Sequence, residues 1–211
     1  MYHSSPSLKH LMASNYDSAM GEVIPGLWVG NLICVSKMLQ LIEENVNETH
    51  LTIISLLSNR NMIRLVTDIL EQYRLKDGAN SHEIRIRHEI IELKDSAEVD
   101  LSQVLPEALM LIDDALGHQT TNIGNISQRR ICLVHCTRGA SRSVSFVVAY
   151  LLSRHGSRFK SLEDALQQVR RVRPIAQPNI GFSLALRKYE RSLHGEDTKS
   201  KCSSTDRLPS S

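Results

Sequence analysis

Long hydrophobic runs are missing from this sequence. No stretch approaches the ~20 consecutive apolar residues that a bilayer-spanning helix needs, which argues against a membrane protein. Cysteine is scarce, with four in 211 residues (Cys34, Cys132, Cys136 and Cys202) at irregular spacing and no CxxC pair. Such usage excludes a disulfide framework and points to a reducing compartment. Nor does one sign of charge dominate. A net charge of +2 and a pI near 8.4 are too mild to suggest nucleic acid or a membrane surface as partner.

The first two dozen residues hold no continuous apolar stretch and the C-terminus no prenylation box, so neither a secretory leader nor a lipid anchor is expected. The Asn-Xaa-Ser/Thr matches at Asn47 and Asn125 read as chance, because glycosylation needs a secretory route that the chain does not advertise. An intracellular location follows, cytoplasmic, nuclear or both.

What is present is enough for one α/β domain with polar ends: 41% of residues are hydrophobic, 23% charged and 4% aromatic. Residues 1–20, rich in Ser, His and Met without periodicity, read as a flexible tail, and 195–211 as a second one by composition. Between them, over 21–194, strand and helix patterns alternate. Gly26–Gly30 is a short strand bounded by glycines. Ser36 is placed to cap a helix carrying Met38, Leu39 and Ile42. His50–Leu57 is a buried strand, and Asn59–Leu75 a helix with Leu65, Ile69 and Tyr73 on one face.

Glu83–Leu93 reads as β. Asp100, with Gln103 three residues on, forms a capping box ahead of a helix whose stripe is Leu101, Leu105, Ala108, Leu109 and Ile112. Beyond a polar loop at 117–130 come the strand Ile131–Val134 and a nearly all-apolar helix over Ser141–Arg154. Ser161 caps a further helix carrying Leu162, Ala165, Leu166 and Val169, and a last one carries Phe182, Leu186, Tyr189 and Leu193. The pattern predicts a mostly parallel central sheet with helices on both faces.

The chemistry concentrates between Ile131 and Ser145. An apolar strand enters a short loop containing Gly139, and the loop enters a buried helix. A strand–loop–helix junction points backbone N–H groups and the positive end of the helix dipole into the loop, which makes it an anion site. Arg142, in the first helical turn, can add a bidentate guanidinium clamp on phosphate oxygens. Cys136 sits at the mouth of that loop. Helix N-termini and nearby cations lower a thiol pKa from its usual ~8.5, so Cys136 is placed to be a thiolate able to attack phosphorus. His135 orders the loop by hydrogen bonding rather than moving a proton. Ser143 offers a hydroxyl to the departing thiolate. Read singly, Cys136 would be an ordinary buried cysteine and Arg142 a surface charge; their spacing about Gly139 is what argues otherwise.

His135-Cys136-Thr137-Arg138-Gly139-Ala140-Ser141-Arg142-Ser143 matches the HCxxGxxRS signature loop of cysteine-based protein tyrosine phosphatases. More narrowly, the chain resembles the dual-specificity phosphatases over residues 22–193. Ile24–Asn31 is similar to that family's N-terminal strand motif, and Arg173-Pro174, Pro178-Asn179 through Phe182, Leu186, Tyr189 and Glu190 resemble its C-terminal helix motif. The resemblance implies a phosphatase fold, residues 135–141 as phosphate-binding loop and a phosphocysteine intermediate. It also implies a phosphorylated protein substrate, a signalling kinase being one candidate, with phosphotyrosine and phosphoserine or phosphothreonine as targets. No metal or organic cofactor is implied, and oligomeric state is left open.

Expulsion of the leaving oxygen needs a proton donor. The sequence offers Glu92, Asp95, Glu98 and Asp100 ahead of the signature. Glu92 lies within a strand and Asp100 serves as a cap, whereas Asp95 follows directly where the strand ends, in a loop that can reach a pocket and move, and is taken as the acid. The family's acid also lies in such a loop. A solvated loop carboxylate is the alternative. Asn179 either braces the signature loop, as in the family, or simply caps a helix. Arg138 faces outward, and Arg158, Lys160, Arg170, Arg171 and Arg173 read as a solvated basic surface, with contact to a second phosphate as the other reading. Cys34 and Cys132 read as inert core thiols. Two departures from the compact family form stand out, a longer loop at 117–130 and an apparent insertion around 60–82.

Two rivals stay open. A phosphoinositide, phosphoglycan or RNA 5′ end is one, although phosphoinositide enzymes of the superfamily carry lysines where this loop has Thr137, Arg138, Ala140 and Ser141. The other is a module that binds phosphoproteins without turnover. Relatives of that kind lose the Cys, the Arg or the acid, and this chain has all three.

Overall fold

The computed structural model describes residues 19–44, 48–77, 84–117 and 129–195. The proposed tails (1–18 and beyond 195), Cys202 and most of the 117–130 loop therefore lie outside the described residues. Among the described residues five strands form one sheet: β1 (Met20–Ile24), β2 (Leu27–Gly30), β3 (Thr49–Leu57), β4 (Ile84–Glu92) and β5 (Arg129–Cys136). Their order is β1-β2-β5-β3-β4. Only β1 runs antiparallel to its neighbour. Pro25-Gly26 turns the β1–β2 hairpin; Gly26 adopts φ +83°, a region open to glycine, and its N–H is held by Glu22.

Six α-helices lie among the described residues: α1 (Cys34–Glu43), α2 (Arg60–Asp77), α3 (Leu105–Leu116), α4 (Arg142–Arg154), α5 (Leu162–Val172) and α6 (Ile180–Leu193). A 3₁₀ turn, Leu101–Gln103, precedes α3. Helices α1 and α2 cover one face of the sheet with Met38, Ile42, Val66 and Leu70 against Trp28, Ile53 and Leu133. The other four cover the opposite face, where Ile112, Phe146, Val169 and Phe182 meet Val29, Ile54 and Val134. Coverage on both faces explains why β3 is a continuous apolar run rather than an alternating one. It also explains α4, which is buried from Arg142 to Leu152 because it lies between the sheet and α3, α5 and α6. Each large apolar side chain so enclosed contributes roughly 1.5–3 kcal/mol relative to exposure.

Several local expectations are corrected. Ser36 lies inside α1, which has Ile33 at its N-cap position and no side-chain cap. The buried stripe of α2 is Val66, Leu70 and Tyr73, while Leu65 is 46% exposed. Both stripes obey helical spacing, and only contact with the sheet selects between them. Asp100 caps the 3₁₀ turn by accepting from Ser102 N–H, and the α-helix proper starts at Leu105. β1 begins at Met20, the last residue of the stretch read as a tail, and both Ala19 and Met20 are buried. Leu193 closes α6 but is 44% exposed.

Because β2 to β5 run parallel, their carboxyl ends share one edge of the sheet, the edge where ligand sites form in open α/β folds. Leu57, Glu92 and Cys136 all end strands there.

Candidate active site

Strand β5 delivers Cys136 to that edge and α4 begins six residues later. The five intervening residues curl because Gly139 adopts φ +66°; a Cβ there would also lie 2.6 Å from the Gly30 carbonyl group. Around the curl, the loop carbonyls are tied outward. Thr137 C=O accepts from Leu32 N–H (3.2 Å), Arg138 C=O from Arg173 Nη2 (2.8 Å), Gly139 C=O from Arg173 Nε (3.1 Å) and Ala140 C=O from Gln177 N–H (2.8 Å). In a trans peptide the N–H opposes the C=O, so tying four carbonyls outward turns the N–H groups of residues 138–141 toward the inside. One is already engaged: Gly139 N–H donates to Cys136 Sγ at 3.2 Å. Ser143 Oγ–H donates to the same sulfur at 3.3 Å.

Arg142 is 7% exposed, with Nη1 on Leu93 C=O (3.1 Å), Nη2 on Thr137 Oγ1 (3.1 Å) and Nε 3.7 Å from the Asp95 carboxylate. Asp95 sits in the loop after β4 and is drawn onto the signature loop from two sides. Ser141 Oγ–H and Asn179 Nδ2 donate to its Oδ1 at 2.7 and 2.8 Å. Asn179 unites the two roles considered for it. Its Oδ1 caps α6 by accepting from Phe182 N–H, and its own N–H donates to Ser141 Oγ. The start of α6 packs so closely on the Asp95 loop that a Cβ on Gly181 would collide with the Ala97 carbonyl.

His135 is fully buried, and burial first, then His88 and Arg142, pushes its pKa down to about 4. It is thus neutral at neutral pH and suited to ordering the loop. Its Nε2 lies 2.7 Å from Ser55 Oγ.

The sequence-predicted residues Cys136, Arg142, Asp95, Ser143 and Asn179 and the loop 135–141 all come together at this edge. Arg138 is exposed as expected. Arg173 departs from its assignment to a solvated surface: it is 4% exposed and clamps two loop carbonyls. Arg170 and Arg171 do stay at the surface, bonding to Ala176 C=O and Gln168. Cys34 and Cys132 are free and buried, and burial raises both thiol pKa values. Sequence reasoning missed Gln177, Ser55 and the Leu93 carbonyl. None carries a signal of its own, since two act through the backbone and Ser55 hides in an apolar run. Among the described residues no three His, Cys, Asp or Glu side chains are grouped to hold a metal ion.

Comparison with known proteins agrees with this geometry. The family model of the dual specificity phosphatase catalytic domain matches residues 47–192, and the chain belongs to that family. It is 38% identical over 108 residues to dual specificity protein phosphatase 1B of Arabidopsis thaliana, covering 51% of this chain and 57% of the relative. With dual specificity protein phosphatase 22 of Mus musculus it shares 29% identity over 174 residues, 82% of this chain and 75% of the other. The chain spans about half the length of the first curated relatives it matches, 49% and 57% of the two Arabidopsis proteins. Crystal structures of human DUSP28 (TM-score 0.56, 24% identity, 86% of this chain and 99% of that one) share the fold. So does the Yvh1 phosphatase domain of Chaetomium thermophilum (TM-score 0.56, 26% identity, 85% and 100%).

Proposed function

We propose that this chain is a cysteine-dependent phosphoprotein phosphatase acting on phosphotyrosine and on phosphoserine or phosphothreonine. The observation that carries the reading is the Cys136 sulfur accepting from Gly139 N–H and Ser143 Oγ–H within a loop whose amides converge and whose rim holds Arg142 and Asp95.

In the first step Cys136 Sγ attacks phosphorus. An S–P bond forms as the P–O bond to the substrate oxygen breaks, and Asp95 gives its proton to that oxygen. The loop N–H groups and Arg142 stabilise the charge on the equatorial oxygens. Water then attacks the phosphocysteine, Asp95 takes a water proton, and the S–P electrons return to sulfur, eased by the Ser143 hydroxyl. Inorganic phosphate leaves. Asp95 must first release Ser141 and Asn179 to reach the leaving oxygen, a small movement for an exposed loop residue. Arg173 and Asn179 act as positioning residues for the signature loop and the acid. The domain proposed with this function runs to residue 194 and takes in Ala19 and Met20, which are buried at the start of β1, leaving 1–18 and 195–211 as the proposed tails. The proposed partner is a phosphorylated protein, with signalling kinases one candidate, met in cytoplasm or nucleus.

Phosphate release from an aryl phosphate, a phosphotyrosine peptide and a phosphothreonine peptide tests the proposal. Wild type should turn over the aryl and tyrosine substrates without added metal, and Cys136→Ser should be inactive. Turnover surviving in Cys136→Ser would sink the mechanism. Failure on all peptides, with a phosphoinositide hydrolysed instead, would sink the substrate class.

A further inference from the structure

At the edge of the sheet opposite the catalytic loop, the amino ends of three parallel strands bring cations together. In register, Arg85 of β4 stands beside His50 of β3, and His50 beside Arg130 of β5. Two residues further on, Arg87, Thr52 and Cys132 form the next row. Alternate residues of a strand share a face, so both rows continue the face on which Ile91, Ile54 and Val134 enter the core with α3. The apolar pattern stops there. Helix α3 ends at Leu116, and between its last turn and the sheet lies a cavity of about 230 Å³. Its polar lining is Arg85, Arg87, Arg130, His50, Thr52 and Asp114.

Like charges directly opposite on neighbouring strands repel, so such rows need compensation. Part of it is internal. Arg87 holds Glu89 (2.6 Å) and Asp114, which occupies both of those carboxylates. Glu48 lies 3.6 Å from His50 Nε2, beyond hydrogen-bond reach, and that buried nitrogen is unbonded. Arg130 has no carboxylate partner among the described residues. Its guanidinium lies over Gly117, where a Cβ would come within 3.0 Å of Nε. Thr52 is 8% exposed, and its hydroxyl makes no hydrogen bond among the described residues. Charged side chains on an outermost strand commonly guard against edge-to-edge pairing, which accounts for Arg85 and Arg87 on β4. It does not account for Arg130 or Thr52, because β5 and β3 lie inside the sheet.

We propose that this cavity is a second oxyanion site, taking a phosphate-type dianion on Arg130, Arg85, Thr52 Oγ1 and His50 Nε2. Nothing in it depends on Cys136 being a nucleophile. Guanidinium groups grip phosphate oxygens through paired N–H donors, and a hydroxyl adds a neutral donor beside them. Size limits the ligand. A volume of about 230 Å³ falls below the range that encloses a drug-sized molecule, so a phosphate group fits and a nucleotide or organic cofactor does not. Position separates the cavity from the catalytic loop, because Arg130 and Cys136 stand at opposite ends of β5, about 20 Å apart at ~3.3 Å per residue. Two sources share this chemistry: free inorganic phosphate and a phosphorylated side chain of another protein.

Titration of the full chain with inorganic phosphate at constant ionic strength, followed by ¹⁵N–¹H correlation of backbone amides, reads the two sites separately. Thr52, Arg87 and Ala115 report on the cavity, and Gly139 on the catalytic loop. Wild type should show saturable shifts at the first three, with a dissociation constant different from the one read at Gly139. Arg130→Gln, at an exposed position, should weaken binding at the cavity by about tenfold or more and leave the constant at Gly139 unchanged. Thr52→Val keeps the shape, removes the hydroxyl and should weaken it by about threefold or more.

A phosphoserine peptide, titrated into Cys136→Ser to prevent turnover, separates the sources. Affinity at the cavity about tenfold or more above that of inorganic phosphate assigns the site to a phosphorylated chain, and equal or lower affinity assigns it to the free anion; either result sustains the site. Shifts confined to Gly139 overturn the proposal. So do shifts at Thr52, Arg87 and Ala115 that rise without saturating, or that survive both variants undiminished, since these describe general screening of surface charge.

Discussion

Two loops meet at the site and are built in opposite ways. The signature loop, residues 137–141, is backed by Gly30 and has four consecutive carbonyls tied to Leu32, Arg173 and Gln177. The Asp95 loop, residues 93–100, is exposed at most positions and docks through a few side-chain bonds from Ser141, Asn179 and Arg142. The contrast matches what the proposed chemistry requires. Amides that stabilise charge must be in position before the charge develops, because reorienting them during the reaction would cancel the gain. A proton donor instead has to approach different leaving oxygens and later a water, which a fixed carboxylate does poorly.

The contrast can be broken with variants that should affect one loop and spare the other. Asp95→Asn should lower kcat on a phosphopeptide by about 10²–10⁴-fold while alkylation of Cys136 proceeds at the wild-type rate. A parallel drop in alkylation would mean that Asp95 is part of the thiolate site. Gly139→Ala strains a positive φ and crowds Gly30, so both kcat and alkylation should fall, with kcat reduced about 100-fold and stability by about 1–3 kcal/mol. An Ala variant matching wild type in both assays would remove the case for a rigid loop.

Asn179→Ala touches both loops. It deletes a helix cap worth about 1 kcal/mol and frees Asp95, and kcat should drop about tenfold, visible as a lowered Tm together with lowered turnover.

The last comparison concerns pH. His135 has a folded pKa of about 4 against 6.5 for an unperturbed histidine, so between these values the unfolded chain binds a proton that the folded chain refuses. Stability should therefore fall as pH drops from 6.5 toward 4, by at most about 3 kcal/mol. Urea midpoints at pH 6.5 and 4.5 measure it. His135→Gln should show a shallower loss, and an equal loss would assign the effect to other groups.

Legibility in the sequence follows the same division. Cys136, Gly139 and Arg142 lie within seven residues, so their spacing can be read along the chain itself. Strand β3 and helix α4 are legible for a related reason: elements covered on both faces keep a continuous apolar pattern. Asp95 is 41 residues from Cys136, and it emerges only by elimination among four carboxylates and by resemblance. Arg173 looks like one arginine in a basic cluster, because nothing in the neighbouring residues reveals that its guanidinium turns inward to Arg138 and Gly139. In α2 Tyr73 is buried and Ile69 packs against the core as read, but Val66 and Leu70 rather than Leu65 complete the buried face, because helical periodicity admits either neighbour and only contact with the sheet selects.

By itself, then, the sequence determined the alternation of strands and helices, the anion-binding junction and the residues at its centre. These depend on groups close together along the chain or on hydrophobic patterns that any buried element must carry. The tertiary structure alone decided that Arg173, just past α5, turns inward to the loop, that Ser55 of β3 meets His135, and which groups hold Asp95 against the loop. Contacts between distant segments arise from how the sheet and helices pack, and a serine in a strand carries no mark of the histidine it will meet across the sheet.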